Sequence, residues 1–456
     1  MKKQSLLIVM MMAATITLNA QEWVDLFNGK NLKGWEKLDG SAEYRVENGE
    51  VIGVSRTNTP NTFMATKEVY SDFIMEYEMK MDRGLNSGVQ IRSRAKQPDG
   101  TKRVNGYQVE CDDHDSRPWA GGIYEEADRG WLYPMAYNMK AAKANKRGEW
   151  NQIRVEAVGT VIRTYINGVS MANLVDEGRS EGFIALQVHG IGDNKELEGK
   201  EIRWRNIRIV TDDAGKYMNK DVELAPEVSY LNNELTAAQV AEGWKLLWDG
   251  KTTEGWRGAR LDKFPEKGWN IKDGILTVES SDGGESANGG DIVTVKKSEN
   301  FILEVDFRIT EGANSGIKYF VDPDLNTGAG SSIGCEYQIL DDKNHPDAKM
   351  GISGTRTLAS LYDLIQADAL IYGMDNNPKR FNGIGTWNRA RIVVKGYHVA
   401  HYLNGIKVVE YDRGTQMWRA LVAYSKYANW PAFGEAVSGH ILLHDHGNEV
   451  SFRNIK

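Results

Sequence analysis

Cysteine is nearly absent: the 456 residues hold two, Cys111 and Cys335. A disulfide-stapled scaffold is excluded by that scarcity. Both lie in strand-like stretches of different halves and read as buried thiols, with a bridge between the halves left open. Proline is scarce as well, with 10 residues against 47 glycines, which suits many tight turns between strands. No basic stripe interleaved with aromatics is present and the formal net charge is -7, so nucleic acid is not an expected partner. The N-terminal apolar run, Leu6 to Leu18, has 13 residues, short of the roughly 20 that span a bilayer. There is no strained nucleophile elbow and no glycine-rich phosphate loop. What remains is 41% hydrophobic and 26% charged, ordinary for globular domains with full cores.

Residues 1–20 read as a secretory signal peptide. Lys2 and Lys3 form the charged start, Leu6 to Leu18 the apolar middle, and Leu18-Asn19-Ala20 a small-residue cleavage site. Gln21 becomes the first mature residue, and a periplasmic or extracellular location follows.

The mature chain repeats itself. Trp23-Val-Asp-Leu-Phe-Asn-Gly29 returns as Trp244-Lys-Leu-Leu-Trp-Asp-Gly250, Asp72–Met81 as Asn300–Ile309, Asn86-Ser-Gly-Val89 as Asn314-Ser-Gly-Ile317, and Trp150–Gly168 as Trp387–Gly405. The period of roughly 230 residues is that of a duplicated domain, not of a solenoid. Phe73, Met75, Tyr77, Met79 and Met81 alternate with Ile74, Glu76, Glu78 and Lys80, the pattern of a half-buried antiparallel strand. Asn167-Gly168 and Asn404-Gly405 are hairpin turns. An all-β fold of two tandem jelly-roll β-sandwiches is therefore expected, at 21–212 and 244–456. Between them, 213–243 is a polar linker with one short helix from Leu235, capped by Thr236 and Gln239 and stopped by Gly243.

Alternation also sorts faces. In the final histidine-rich stretch, Ile441 and Leu443 point to the core, while His440, Leu442, His444 and His446 share the other face. Ile317, Tyr319 and Val321 go in, and Lys318 and Phe320 go out. Two outward polar sets result. One is Lys318, Glu336, Gln338, His444 and His446; the other is Gln90, Arg92, Gln108, Glu110, Gln187 and His189. A solvated sheet face explains such sets blandly. Histidine, glutamine and glutamate recurring together suit polyol recognition and proton transfer better. His444 and His446 with Glu336 or Asp341, or the run Asp112-Asp113-His114-Asp115, offer oxygen and nitrogen ligands for a divalent cation, without a specific metal signature. No cofactor is required.

Taken together, Trp-x-x-Leu-Trp-Asp-Gly, Asn314-Ser-Gly-Ile317, Glu336-Tyr-Gln-Ile339, Leu403-Asn-Gly405 and His444-Asp-His-Gly447 with Phe452-Arg-Asn-Ile455 resemble the 3-keto-disaccharide hydrolase family, twice over. The resemblance implies a concanavalin A-like jelly roll and a carbohydrate substrate oxidised at C3. A C3 ketone acidifies the C2 proton, so a base such as Glu336 or a neutral histidine can open an elimination, followed by addition of water. Lys318, Arg92 or a bound metal would steady the enolate. Glu336, His444, His446 and Asp341 are the catalytic candidates this implies. Lys318, Gln338, Gln90, Arg92, Glu110, Gln187 and His189 are the substrate-binding ones, with Tyr362 and Tyr124 on loops over the groove. The family's Leu-Gln-Asp-His-Gly becomes Leu-His-Asp-His-Gly at the second site and Leu-Gln-Val-His-Gly at the first, so the sites are not equivalent and the second is the expected seat of chemistry. A carbohydrate-binding protein without catalysis and a retaining glucanase are the alternatives. The glucanase needs paired carboxylates on one strand, but Glu304-Val-Asp-Phe-Arg308 puts a cation in the third place.

Overall fold

A computed structural model describes residues 23–96, 100–281, 284–326, 328, 330–368, 379–430 and 432–456. The expected leader and Gln21 lie outside the described residues. The chain is nearly all β, arranged as two sandwiches. In the first, one sheet runs 227–229, 169–175, 161–166, 151–158, 73–81, 201–210, 50–54, 43–47, with Val24–Asp25 also paired to Glu201–Val210. It faces a sheet ordered 130–133, 123–126, 102–112, 86–96, 183–188, 62–66, 35–39. In the second, the sheet ordered 256–258, 292–294, 440–443, 314–322, 333–340 faces one ordered 269–272, 275–278, 450–453, 301–309, 388–395, 398–403, 406–412. Among the described residues no helix is long and apolar enough to cross a membrane.

The period-two pattern behaves as its chemistry dictates. Phe73, Met75, Tyr77, Met79 and Met81 all enter the first core, beneath Val89, Ile91, Val109 and Leu186 of the facing sheet. Leu303, Val305, Phe307 and Ile309 enter the second, against Ile317, Tyr337 and Leu443. Burying each such side chain is worth about 1.5–3 kcal/mol. Asn167-Gly168 and Asn404-Gly405 take positive φ at both residues (49° and 80°; 46° and 83°), the left-handed pair that the twist of a two-residue hairpin requires.

The linker is less linker-like than its polarity implies. Glu227–Ser229 joins the first sandwich in parallel with Asn173–Val175. The helix Ala237–Ala241 follows, with Thr236 and Gln239 closing the reciprocal cap. Linker and second sandwich then dock. Asn233 and Asn454 exchange backbone-to-side-chain hydrogen bonds of 2.5 and 2.8 Å. Arg389 forks Asp306 at 2.6 and 3.2 Å, donates to the Ser229 carbonyl at 2.8 Å, and lies over the Tyr230 ring. Glu304 and Asp306, expected on a half-solvated face, are therefore buried. Cys111 and Cys335 are both free and buried, each in its own core, and no bridge joins the halves.

Strand parity fails at a matching place in each sandwich, and in the first also at Asn206 (φ 52°), where the register with Phe73–Met81 shifts. Arg92 and Phe320 have φ of 47° and 54°, and the strand register shifts around both. A left-handed residue in a strand turns the following side chains over. Phe320, expected outward, packs in the core, and Val321, expected inward, joins a small outer cluster with Ala259, Val293 and Leu442.

Candidate active site

The second sandwich builds its site across three neighbouring strands and one loop. Asn314–Asp322 lies between His440–Leu443 and Ile333–Leu340. Register places Lys318 opposite Glu336 on one side and Leu442 on the other. The His444 amide extends the ladder by donating to the Gly316 carbonyl at 3.0 Å. Tyr362 donates its amide to the Glu336 carbonyl at 3.0 Å, which adds a fourth row. Ile317, Tyr337, Ile339, Ile441 and Leu443 fill the core, so Lys318, Glu336 and His444 stand on the opposite face. Outward here does not mean wet. Those three are only 6%, 4% and 4% exposed, because the loops at 285–291 and 331–332 fold over them.

Burial turns these side chains into one electrostatic unit. His444 Nδ1 lies 3.0 Å from Glu336 Oε1, and its Nε2 lies 3.3 Å from Glu285 Oε1. Lys318 Nζ sits 3.8 Å from Glu336 Oε2, donates to the Ser332 carbonyl at 3.3 Å, and bonds Ser331 Oγ. Asp291 accepts from Ser331 Oγ at 2.5 Å and from the Asp445 amide at 3.0 Å. Asp445 in turn takes the Gly290 amide at 2.9 Å and the Gly447 amide at 3.1 Å. It anchors the covering loop rather than the neighbouring imidazole. Burial opposes ionisation of Glu336, but Lys318 and His444 outweigh it and hold the carboxyl down at about 2. Burial and Lys318 oppose a charge on His444, yet Asp291, Glu285 and Glu336 outweigh them and raise the imidazole to about 9.

His446 is the accessible member. It is half-buried, its ring centroid 5.3 Å from that of His444 and 6.0 Å from that of His345. Burial, then the charge on His444, lowers its pKa. Two adjacent imidazoles are thus driven apart, one cationic and one neutral, which is the arrangement that acid–base pairs use. Lys426 Nζ lies 4.2 Å from the centre of the Tyr362 ring at the rim. Tyr362 Oη donates to Asp347 at 2.8 Å, and Asp347 also takes Arg356 Nη1 at 2.9 Å. Gly316 has no left-handed backbone; it is needed because a Cβ there would lie 2.8 Å from Glu336 Cδ.

The first sandwich presents the same positions with different chemistry. Register puts Gln90 opposite Gln108, Gly88 opposite Glu110, and Gln108 opposite Tyr124. Gln90, Gln108 and Gln187 thus stand where Lys318, Glu336 and His444 stand. Gln90 Nε2 donates to Gln108 Oε1 at 2.8 Å, and Gln108 Nε2 donates to Glu110 at 2.8 Å. Burial pushes the Glu110 carboxyl up to about 8. His189 is half-buried, with Nδ1 2.7 Å from the Gly190 carbonyl, and burial lowers its pKa.

Several sequence candidates stand elsewhere or are already engaged. Arg92 is fully buried at the other end of the strand pair: Ser93 faces Phe183, the first residue of the strand that ends near His189. Its guanidinium holds the Ser71 and Gly159 carbonyls and Asp72, so it ties loops and touches no groove. Asp341 spends its carboxylate on the Gly312, Lys343 and Asn344 amides and on the Asn344 side chain; it holds a turn. Gln338 is buried and donates to Asn314 at 3.3 Å. The acidic run is neutralised by arginines: Asp112 pairs with Arg117, Asp113 with Arg83, and Asp115 with Arg83 and Arg147. Among the described residues no group of three or more His, Cys, Asp and Glu side chains has metal-holding geometry. Glu285, Asp291, Lys426 and His345 were not singled out from sequence. Glu285 and Asp291 precede the strand 292–294, His345 follows the strand 333–340 by five residues, Lys426 opens the 3-10 helix Lys426–Asn429, and no local pattern marks any of them.

The family described as 3-keto-alpha-glucoside-1,2-lyase-like domain matches residues 22–210 and again 243–456. A 3-keto-disaccharide hydrolase of Bacteroides thetaiotaomicron is 39% identical over 236 residues, 47% of this chain and 78% of that protein. Two solved structures of Parabacteroides distasonis proteins, assigned by inference as glycosyl hydrolases, are 29% and 26% identical. They cover 49% and 46% of this chain and 97% and 96% of their own, with TM-scores of 0.41 and 0.33. With both sandwiches matched, the chain belongs to the family of 3-keto-alpha-glucoside-1,2-lyase-like domains.

Proposed function

We propose that this protein is a carbohydrate-active enzyme that cleaves 3-keto-glycosides, and that the second sandwich performs the chemistry. The observation that carries this assignment is the imidazole pair: half-buried His446 stands 5.3 Å, ring centre to ring centre, from His444, which lies between the carboxylates of Glu336 and Glu285 at 3.0 and 3.3 Å. His446 takes the proton from C2 of the 3-keto sugar, and the electron pair moves onto the ketone oxygen as an enolate. The enolate re-forms the ketone as the C1–O bond breaks, and the departing alkoxide takes a proton delivered through His444. Water then adds across the C1–C2 double bond, its hydroxyl to C1 and its proton to C2, so the sum is hydrolysis. Lys426, exposed over Tyr362, is the cation placed to steady the enolate. Lys318 is committed to Ser331, Ser332 and Glu336 and acts by holding Glu336 ionised.

A similar relative named for 3-keto-disaccharide hydrolysis supports the substrate class. The glucanase alternative loses its carboxylates, since Glu304 and Asp306 are paired with Arg391 and Arg389 on the other sheet. Export to the periplasm or beyond is part of the proposal and rests on the leader composition of residues 1–20. The test is cleavage of a 3-keto-disaccharide and of its unoxidised parent, run in D2O. Cleavage of the keto sugar alone, with deuterium at C2 of the product, is expected. His446→Ala should lower the rate by about 100-fold or more, the usual worth of a general base. Equal cleavage of the parent, or no deuterium at C2, would refute the mechanism.

A further inference from the structure

We propose that the first sandwich carries a binding site for a neutral pyranoside that lacks proton-transfer chemistry, formed by Gln187, Gln108, Gln90 and His189 and walled by Tyr124 and Trp131. The inference rests on the second sandwich being the catalytic one.

Three ionisable groups of the second site have neutral counterparts in the first, while His446 keeps its imidazole as His189. Lys318, Glu336 and His444 become Gln90, Gln108 and Gln187. The cation over Tyr362 is replaced by an indole: Trp131 packs edge-on against Tyr124, ring centres 5.5 Å apart at 76°. An amide offers a donor and an acceptor but moves no proton near neutral pH. Sugar hydroxyls need such paired donors and acceptors, and the C–H face of a pyranose needs an aromatic wall. Tyr124 and Trp131 are both half-buried, leaving ring surface accessible. Arg380 of the second sandwich lies 5.2 Å from the centre of the Trp131 ring, so that ring is backed by a cation.

Gln187 supplies an independent observation. It is fully buried, and neither its Oε1 nor its Nε2 makes a hydrogen bond among the described residues. The neighbouring amides are satisfied by one another: Gln90 with Gln108 and Ser93, Gln108 with Glu110. The corresponding His444 faces two carboxylates. A buried amide with both ends unmet is rare in native structures and marks a place where a partner, directly or through water, is still to come. The strand is also shaped for its glutamine, since a Cβ on Gly88 would lie 2.5 Å from Gln108 Cγ. That close approach repeats the one between Gly316 and Glu336, so the geometry is kept while the charge is lost.

The test uses the full chain carrying His446→Ala, titrated calorimetrically with unoxidised maltose, lactose, sucrose and trehalose and with one 3-keto-disaccharide. Saturable binding to at least one sugar is expected. Adding Gln187→Leu, which removes the unmet amide at nearly constant shape, should weaken that binding at least tenfold, as should Tyr124→Ala. The melting temperature of the Gln187→Leu chain reports that it still folds. The proposal is overturned if no sugar binds, or if binding is the same in all three chains. It is also overturned if His189→Ala abolishes turnover of the 3-keto sugar while His446→Ala does not. Binding without any turnover by the unmodified chain would refute the proposed enzymatic function and leave this site standing.

Discussion

Replacing Glu336 by glutamine should move the alkaline limb of the pH–rate profile. The side chain keeps its shape, and its counterpart Gln108 already occupies the equivalent position in the first sandwich. What is lost is one of three anions facing His444: Glu336 at 3.0 Å, Glu285 at 3.3 Å, and Asp291 in the next layer. The rise of the His444 pKa from 6.5 to about 9 is worth about 3.4 kcal/mol. It is achieved against burial and against Lys318. Without Glu336, Lys318 repels the imidazolium with nothing between them. We expect the His444 pKa to fall by at least about one pH unit, or about 1.4 kcal/mol. His444 acts as the protonated acid, so its activity is complete well below its pKa and lost as pH rises through it. The alkaline limb of kcat/KM should therefore lie near 9 in the parent and move clearly lower in Glu336→Gln, while the acid limb, set by His446, also moves down because Glu336 raises that imidazole too. Initial rates from about pH 5 to about pH 10 read both limbs, and an NMR titration of the imidazole reports His444 directly. An alkaline limb that stays in place in the variant would refute the electrostatic account of the site.

Gly316→Ala should abolish most activity while the fold survives, because the new Cβ meets the buried Glu336 side chain, 2.8 Å from Cδ and 2.9 Å from Cγ, and must push it off His444. Turnover and a thermal melt measured together check this, and full activity in the variant would contradict it. In the second core, His401 is buried between Tyr319 Oη at 2.7 Å and the Ala359 carbonyl at 3.2 Å, and burial pushes its pKa down to about 4. A depressed imidazole contributes stability above its unfolded value, lost as pH falls through the folded one. About 3.4 kcal/mol at most should disappear between pH 6.5 and about 4. A His401→Gln chain should show a shallower fall in melting temperature over that window, and parallel curves would count against the assignment.

Much of the site was legible because strand parity is a local rule. Lys318, Glu336 and His444 stand on one face since Ile317, Tyr337 and Leu443 must bury on the other. The rule broke at Arg92 and Phe320, where a left-handed residue shifts the register. Nothing in the alternation announces such a bulge, because arginine and phenylalanine are not residues that signal positive φ. Asp341 illustrates another limit: a carboxylate after a site strand reads as a ligand until its four local donors are seen.

Sequence alone determined the two all-β halves, their cores, the hairpin turns and the capped helix, because apolar alternation, Asn-Gly pairs and capping residues act over a few neighbouring positions. It also marked His446, and the exchange of His444 for Gln187. Only the tertiary structure decided what these residues are chemically. Glu285 and Asp291 approach His444 from a loop about 150 residues earlier in the chain, and Lys426 reaches Tyr362 from another. A pKa depends on which charges share a low-dielectric space, and long-range packing alone sets that company.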